Sequence, residues 1–161
     1  MDYTRRASAA AGATVVVATL LDRHGAGATT NAVFPVQHTD AEWRALLAPA
    51  AFEVLREQGT EAPWSSNLLH VSGPGRFICD GCAQPLFDAG TKFDSGTGWP
   101  SLWAPLPNAV QTRKDHSLLM SRTEVHCPTC GGHLGHVFDD VPQPTGLRYC
   151  MNGVAMTFTK A

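Results

Sequence analysis

Two Cys-x-x-Cys pairs, Cys79/Cys82 and Cys127/Cys130, constrain this chain more than any other feature. Zinc takes four thiolates in a tetrahedron and needs no further ligand, so two such knuckles predict a closed structural metal site. The pairs lie far apart in sequence. One ion joining them would close a long loop and clamp two β segments together. That assigns four of the five cysteines and leaves Cys150, alone in Arg148-Tyr149-Cys150-Met151-Asn152. An unassigned thiol is a buried core residue or a nucleophile.

The rest of the chain suits one zinc-clamped β domain. Its 161 residues fit a single domain with an extension. With 43% hydrophobic residues it has enough apolar material for one core. A net charge of −2 and the lack of a basic tract exclude a phosphate-backbone partner. Fifteen glycines and eleven prolines favour short strands and turns. Five cysteines are too few for a disulfide-dense secreted scaffold. No segment is long enough for a membrane span.

Residues 1–33 are expected to be a leader. Arg5-Arg6 precede a small apolar run from Ala7 to Leu21, then a Gly/Ala/Thr stretch. This is the layout of a signal peptide, and the paired arginines suggest the twin-arginine route to the periplasm. That route carries folded proteins, which suits a domain that must bind metal to fold. The alternative is a disordered leader on a cytoplasmic protein.

The folded domain is expected over 34–161. Thr39-Asp40-Ala41-Glu42 forms a capping box, and Trp43, Leu46 and Leu47 fall on one helical face. Pro49 opens a second helix bearing Phe52 and Leu55, with Gly59 as its stop. Beyond Gly59, short apolar runs predict strands at 76–79, 118–120, 123–126, 147–151 and 154–158. Alternation along 147–152 places Arg148, Cys150 and Asn152 on one face, with Leu147, Tyr149 and Met151 on the other. A guanidinium beside the thiol favours the reactive thiolate.

Two further segments carry chemistry. His133 and His136 sit three apart in a Gly-rich stretch after the second knuckle. A single histidine there would be structural, but two are candidate proton donors. Gly96 and Gly98 allow a tight loop that presents Trp99, held by Pro100. An indole face is a fitting wall for a small apolar group. A thiol, donors for an oxygen and a wall for a methyl together match methionine sulfoxide.

From Asp40 to Phe158 the chain resembles the B-type methionine sulfoxide reductases. The matching stretches are Val54–Glu61, Pro85-Leu86-Phe87, Lys92–Ser101, Arg122–Cys127, His133–Phe138, Pro144-Thr145-Gly146 and Arg148–Asn152. The resemblance implies a mainly β fold, with two antiparallel sheets forming a tent or open barrel, two short N-terminal helices, and one zinc ion on Cys79, Cys82, Cys127 and Cys130. It makes Cys150 the nucleophile. It places His133, His136, Asn152 and Arg148 around the sulfoxide oxygen, and Trp99 and Phe138 against the substrate. Cys150 would pass through a sulfenic acid, with protein-bound methionine-R-sulfoxide as substrate and thioredoxin or another thiol as reductant. The chain is expected to be monomeric. Where many members carry a second cysteine, this sequence has Thr97, so an external thiol is expected to reduce the sulfenic acid directly; the alternative is that one of the zinc cysteines resolves it at a cost in metal and structure. Val141 and Leu119 also replace glycines usual in the family. The rivals are a non-catalytic zinc-clamped binding module, a thiol peroxidase, and a redox sensor based on Cys150.

Overall fold

The computed structural model describes residues 33–116, 121–141 and 144–161. The leader (save Val33), the strand expected at 118–120 and Leu119 lie outside the described residues. Helix α1 (Asp40–Leu46) starts on the expected capping box: the Glu42 amide donates to Thr39 Oγ1 at 3.3 Å and the Thr39 amide to Glu42 Oε2 at 2.7 Å. It buries Trp43, while Leu46, expected on the same face, is 62% exposed. The helix ends there, and Leu47 turns back into the core as its C-cap. Helix α2 (Pro49–Glu57) buries Ala51, Phe52, Val54 and Leu55.

Gln58, not Gly59, takes the left-handed C-cap conformation of α2, with φ 60°. Gly59 follows, its amide donating to Glu53 O at 3.0 Å. A Cβ there would stand 2.9 Å from Glu53 Cγ, so tight packing requires the glycine.

Among the described residues, nine strands form two antiparallel sheets. The first has the order β2 (Pro85–Asp88), β1 (Gly75–Cys79), β9 (Met156–Lys160). The second runs β3 (Lys92–Phe93), β4 (Ser101–Leu102), β8 (Arg148–Met151), β7 (His133–Phe138), β6 (Arg122–His126), β5 (Gln111–Asp115). Strand β9 starts two residues later than the sequence suggests. Residues 153–155 form a 3-10 turn whose Gly153 and Val154 amides donate to the Glu61 carboxylate at 2.5 and 3.2 Å. Phe77, Leu86, Phe87, Leu102, Val125, Leu134 and Met151 fill a single core with Trp43. Among the described residues, no helix is long and apolar enough to cross a membrane.

The alternation read from 147–152 holds at its centre, though Leu147 is only partly buried and Arg148 and Asn152 are buried as well. Tyr149 and Met151 are buried, while Cys150 keeps partial access to solvent. Strand β8 is central, so what it carries is fixed from both sides. Strand β4 places Ser101 opposite Cys150, and β7 places His136 opposite it. The second approach needs Gly135, where a Cβ would lie 2.2 Å from Cys150 O.

Candidate active site

A cluster of four cysteines that could hold a metal ion lies where the two knuckles meet. β1 ends on Cys79, and the chain turns back with the Ala83 amide donating to Cys79 O at 2.9 Å. β6 delivers Cys127, and the Gly131 amide donates to Cys127 O at 2.9 Å. All four sulfurs lie within 4.8 Å of one another, with Cys79 and Cys130 at 3.7 Å and Cys82 and Cys127 at 3.5 Å. Four thiolates on one zinc, each about 2.3 Å from the ion, stand about 3.8 Å apart. The donor set and its spacing therefore fit a tetrahedral thiophilic ion. Arg56 ties α2 to this clamp: Nη1 donates to Cys130 O at 2.9 Å while the guanidinium lies 4.7 Å over the Trp43 ring.

Cys150 opens into a pocket shared with Thr60, Trp99, Arg122, Gly135, His136, Phe138 and Asn152. The predicted residues Trp99, His136, Phe138, Cys150 and Asn152 thus come together on one surface. His133 and Arg148 do not line this pocket. His133 is buried behind His136, with ring centroids 5.2 Å apart. Arg148 forks onto Asp140, its Nε donating to Oδ1 at 2.9 Å and its Nη2 to Oδ2, and lies 4.5 Å over the Phe138 ring.

Each histidine is held by a carboxylate from a neighbouring strand. His133 Nδ1 pairs with Glu124 Oε1 at 2.8 Å, and Arg113 forks onto the same carboxylate. Burial opposes ionisation of Glu124, but His133 and Arg113 outweigh it and hold the carboxyl below its ordinary range. His133 Nε2 is buried with no hydrogen-bond partner among the described residues. His136 Nε2 pairs with Asp115 Oδ2 at 2.8 Å, and Arg122 ion-pairs with Asp115. Burial lowers the His136 pKa despite Asp115, with Arg122 and His133 adding to the fall. His136 is therefore a neutral imidazole at neutral pH. Its Nε2–H donates to the carboxylate, which leaves the lone pair on Nδ1.

The thiol departs from its expected state. Burial pushes the Cys150 pKa above its ordinary value. The charge of Arg148 and hydrogen bonds from Thr97 and Arg148 work against that rise, and Asp140 adds to it. The guanidinium expected to favour a thiolate is thus present but outweighed. Its charge is partly spent on Asp140, and the sulfur is largely desolvated.

Glu61 joins the pieces, and no local sequence pattern pointed to it. Its amide donates to Asn152 Oδ1 at 3.1 Å, and its carbonyl accepts from Trp99 Nε1 at 3.1 Å. Asn152 Nδ2 then donates to Leu134 O at 3.3 Å, so its amide cannot flip without losing both contacts. Asp115, Glu124 and Asp140 were likewise not singled out. Asp115 and Glu124 gain their roles through cross-strand pairing, and Asp140 from its place just after β7.

Residues 47–160 match the SelR domain. The chain is 46% identical over 126 residues to the peptide methionine sulfoxide reductase MsrB of Methanosarcina mazei, covering 78% of this chain and 90% of that one. It is 49% identical over 124 residues to the MsrB of Agrobacterium fabrum, covering 76% and 92%. The chloroplastic peptide methionine sulfoxide reductase B1 of Arabidopsis thaliana is 47% identical over 119 residues, 73% of this chain and 59% of that one.

Proposed function

The chain belongs to the SelR-domain family of B-type methionine sulfoxide reductases, which makes it a peptide-methionine (R)-S-oxide reductase, and we propose that Cys150 carries its reaction. The observation that supports this most directly is the pocket in which Cys150, His136 and Asn152 meet the Trp99 and Phe138 rings. The rings offer a wall for the S-methyl group, and the polar groups offer partners for the sulfoxide oxygen.

The chemistry starts from a thiol. Cys150 gives up its proton as its sulfur attacks the sulfoxide sulfur. Neutral His136 has the Nδ1 lone pair to take that proton and pass it to the departing oxygen. The imidazolium formed in passing is stabilised by Asp115. The S–O bond of the substrate breaks and the oxygen ends on Cys150, so thiol and sulfoxide become sulfenic acid and thioether. Two equivalents of an external thiol then restore the cysteine, releasing one water and one disulfide. Cys150 needs an outside reductant because the Thr97 hydroxyl, 4.0 Å away, stands where a second thiol would otherwise resolve it. Thioredoxin is the proposed donor in a reducing compartment.

Zinc is the proposed ion on Cys79, Cys82, Cys127 and Cys130. Four thiolates leave no open coordination position, so the ion would supply stability and no chemistry. Protein-bound methionine sulfoxide is the proposed substrate, and repair of oxidised protein the role. The enzyme is proposed to act as a monomer.

Turnover of the two separated epimers of a blocked methionine sulfoxide, with dithiothreitol as reductant, tests the activity. The R epimer is expected to be consumed and the S epimer left intact. Turnover of neither, in folded and metal-loaded protein, would favour the binding-module alternative. Residues 1–33 are proposed as a twin-arginine leader. Cell fractionation is expected to find the full chain in the periplasm and to find the Arg5→Lys/Arg6→Lys variant retained in the cytoplasm. Equal distribution of the two would leave the cytoplasmic alternative.

A further inference from the structure

The hydroxyls beside Cys150 form a single file. Thr97 Oγ1 lies 4.0 Å from Cys150 Sγ, within the long reach of a sulfur hydrogen bond. Thr97 Oγ1 and Ser95 Oγ are 2.8 Å apart, and Ser95 Oγ and Ser101 Oγ 2.7 Å apart. Ser101 Oγ donates to Trp99 O at 3.2 Å. The file is sheltered: Ser101 is fully buried, and Ser95 and Thr97 are partly buried.

Proton counting allows it two directions. A hydroxyl has one proton to donate, and a carbonyl can only accept. With the Ser101 proton on Trp99 O, Ser95 donates to Ser101. Thr97 must then donate to Ser95. That leaves a lone pair of Thr97 facing the sulfur, an arrangement that accepts from a thiol S–H and repels a thiolate. To serve a thiolate, all three hydroxyls must rotate. Ser101 would donate to Ser95, Ser95 to Thr97 and Thr97 to sulfur, and the bond to Trp99 O would be lost.

We propose that Ser101, Ser95 and Thr97 form a reversible hydroxyl chain whose direction follows the protonation state of Cys150. At rest it holds the sulfur as a thiol; once the proton leaves, it turns and donates to the charged sulfur. Thr97 touches the reacting atom, while Ser95 and Ser101 are positioning residues that act through it. No proton leaves through the chain, because Trp99 O cannot take one. The proposal rests on Cys150 being the reacting sulfur. The charged and titratable groups facing Cys150 are Arg148 with Asp140, Arg122, and His136 with Asp115, with Glu61 at the adjoining turn. None of them is altered by the test.

The test is the pH dependence of iodoacetamide alkylation at Cys150, located by mass spectrometry on metal-loaded protein. Thr97→Val removes the donor to the thiolate. It is expected to raise the thiol pKa by about one unit, slowing alkylation at neutral pH about tenfold. Thr97→Ser is expected to restore the parent value. Ser101→Ala removes the sink, so Ser95 can donate to Thr97 and Thr97 to sulfur at no loss. It is expected to lower the pKa by roughly half a unit. Ser95→Ala frees the Thr97 proton directly and is expected to shift the same way. It also serves if the buried Ser101→Ala variant fails to fold. Opposite signs at Thr97 and at the two serines support the chain. Shifts of one sign throughout, or none, overturn it. Alkylation is read without turnover, so a Cys150→Ser enzyme that kept its activity would sink the catalytic assignment separately.

Discussion

Cys150→Ser is expected to reduce turnover of methionine-R-sulfoxide by on the order of 10⁴-fold or more, with zinc content and thermal unfolding unchanged. The reaction needs an atom that can both attack sulfur and hold the transferred oxygen, and a serine hydroxyl can do neither. The substitution is close in size at a partly exposed position. Cys150 has no covalent partner, so the expected stability change is within about 1 kcal/mol. Loss of activity with the fold intact would separate catalysis from structure, and would exclude the binding module that should tolerate the change. Residual activity near that of the parent would move the chemistry to another sulfur. Cys82 would be the first to examine, since it is the one knuckle cysteine that is not buried. A second readout makes the result sharper. The parent enzyme, given sulfoxide without reductant, should release about one equivalent of methionine and stop with Cys150 oxidised. The variant should release none. Because the reacting form is the protonated thiol beside a neutral His136, and burial holds the Cys150 pKa above its ordinary value, the parent single-turnover rate should be flat from neutrality upward and fall as the thiol ionises. A rate that rose steadily with pH over this range would mean that the thiolate, with a proton from elsewhere, is the attacking form.

The elements set by local chemistry were legible in the sequence. The knuckle spacing picked out the four cysteines that cluster, the capping box named the start of α1, and period-two alternation separated Tyr149 and Met151 from Cys150. Partners were not legible where they come from another strand. Glu124 and His133 are nine residues apart, Asp115 and His136 twenty-one, and Glu61 and Asn152 ninety-one. Nothing in a local pattern says which carboxylate will lie beside which imidazole. Register decides it, and register comes from the whole sheet. The thiol state was misjudged for a related reason. Arg148 is visible in the sequence two residues from Cys150, but desolvation of the sulfur and capture of the guanidinium by Asp140 are properties of packing. Leu46 illustrates the limit for helices. Its spacing fits the apolar face, yet α1 ends there and leaves it exposed. Phe138 was placed against the substrate, and it also provides the ring on which Arg148 rests.

Cys127→Ser is expected to do the reverse of Cys150→Ser, taking metal and fold first and activity as a consequence. Cys127 is fully buried, and its amide and carbonyl bond to Gly132 and Gly131 within the knuckle turn. Removing one of four thiolates from a closed tetrahedron leaves an incomplete site and a buried hydroxyl in place of a ligand. Structural zinc contributes roughly 10 kcal/mol or more to small metal-folded units, and a folded domain keeps only about 5–15 kcal/mol in total. Even partial loss, of at least about 3 kcal/mol, should lower the melting temperature by on the order of 10 °C. The damage should reach the active site through known contacts. β1 ends on Cys79 and pairs with β9, and Arg56 docks α2 on the Cys130 carbonyl. The Asp80 amide also donates to Ala155 O at 3.0 Å, within the turn that follows Asn152. Metal analysis, thermal unfolding and turnover on one sample decide the matter. Zinc near zero with a lower melting temperature would fit a four-thiolate structural site. A full equivalent of zinc retained by Cys127→Ser would mean the four-sulfur ligand set is wrong. Normal activity without zinc would mean the clamp does not support the fold that positions Cys150.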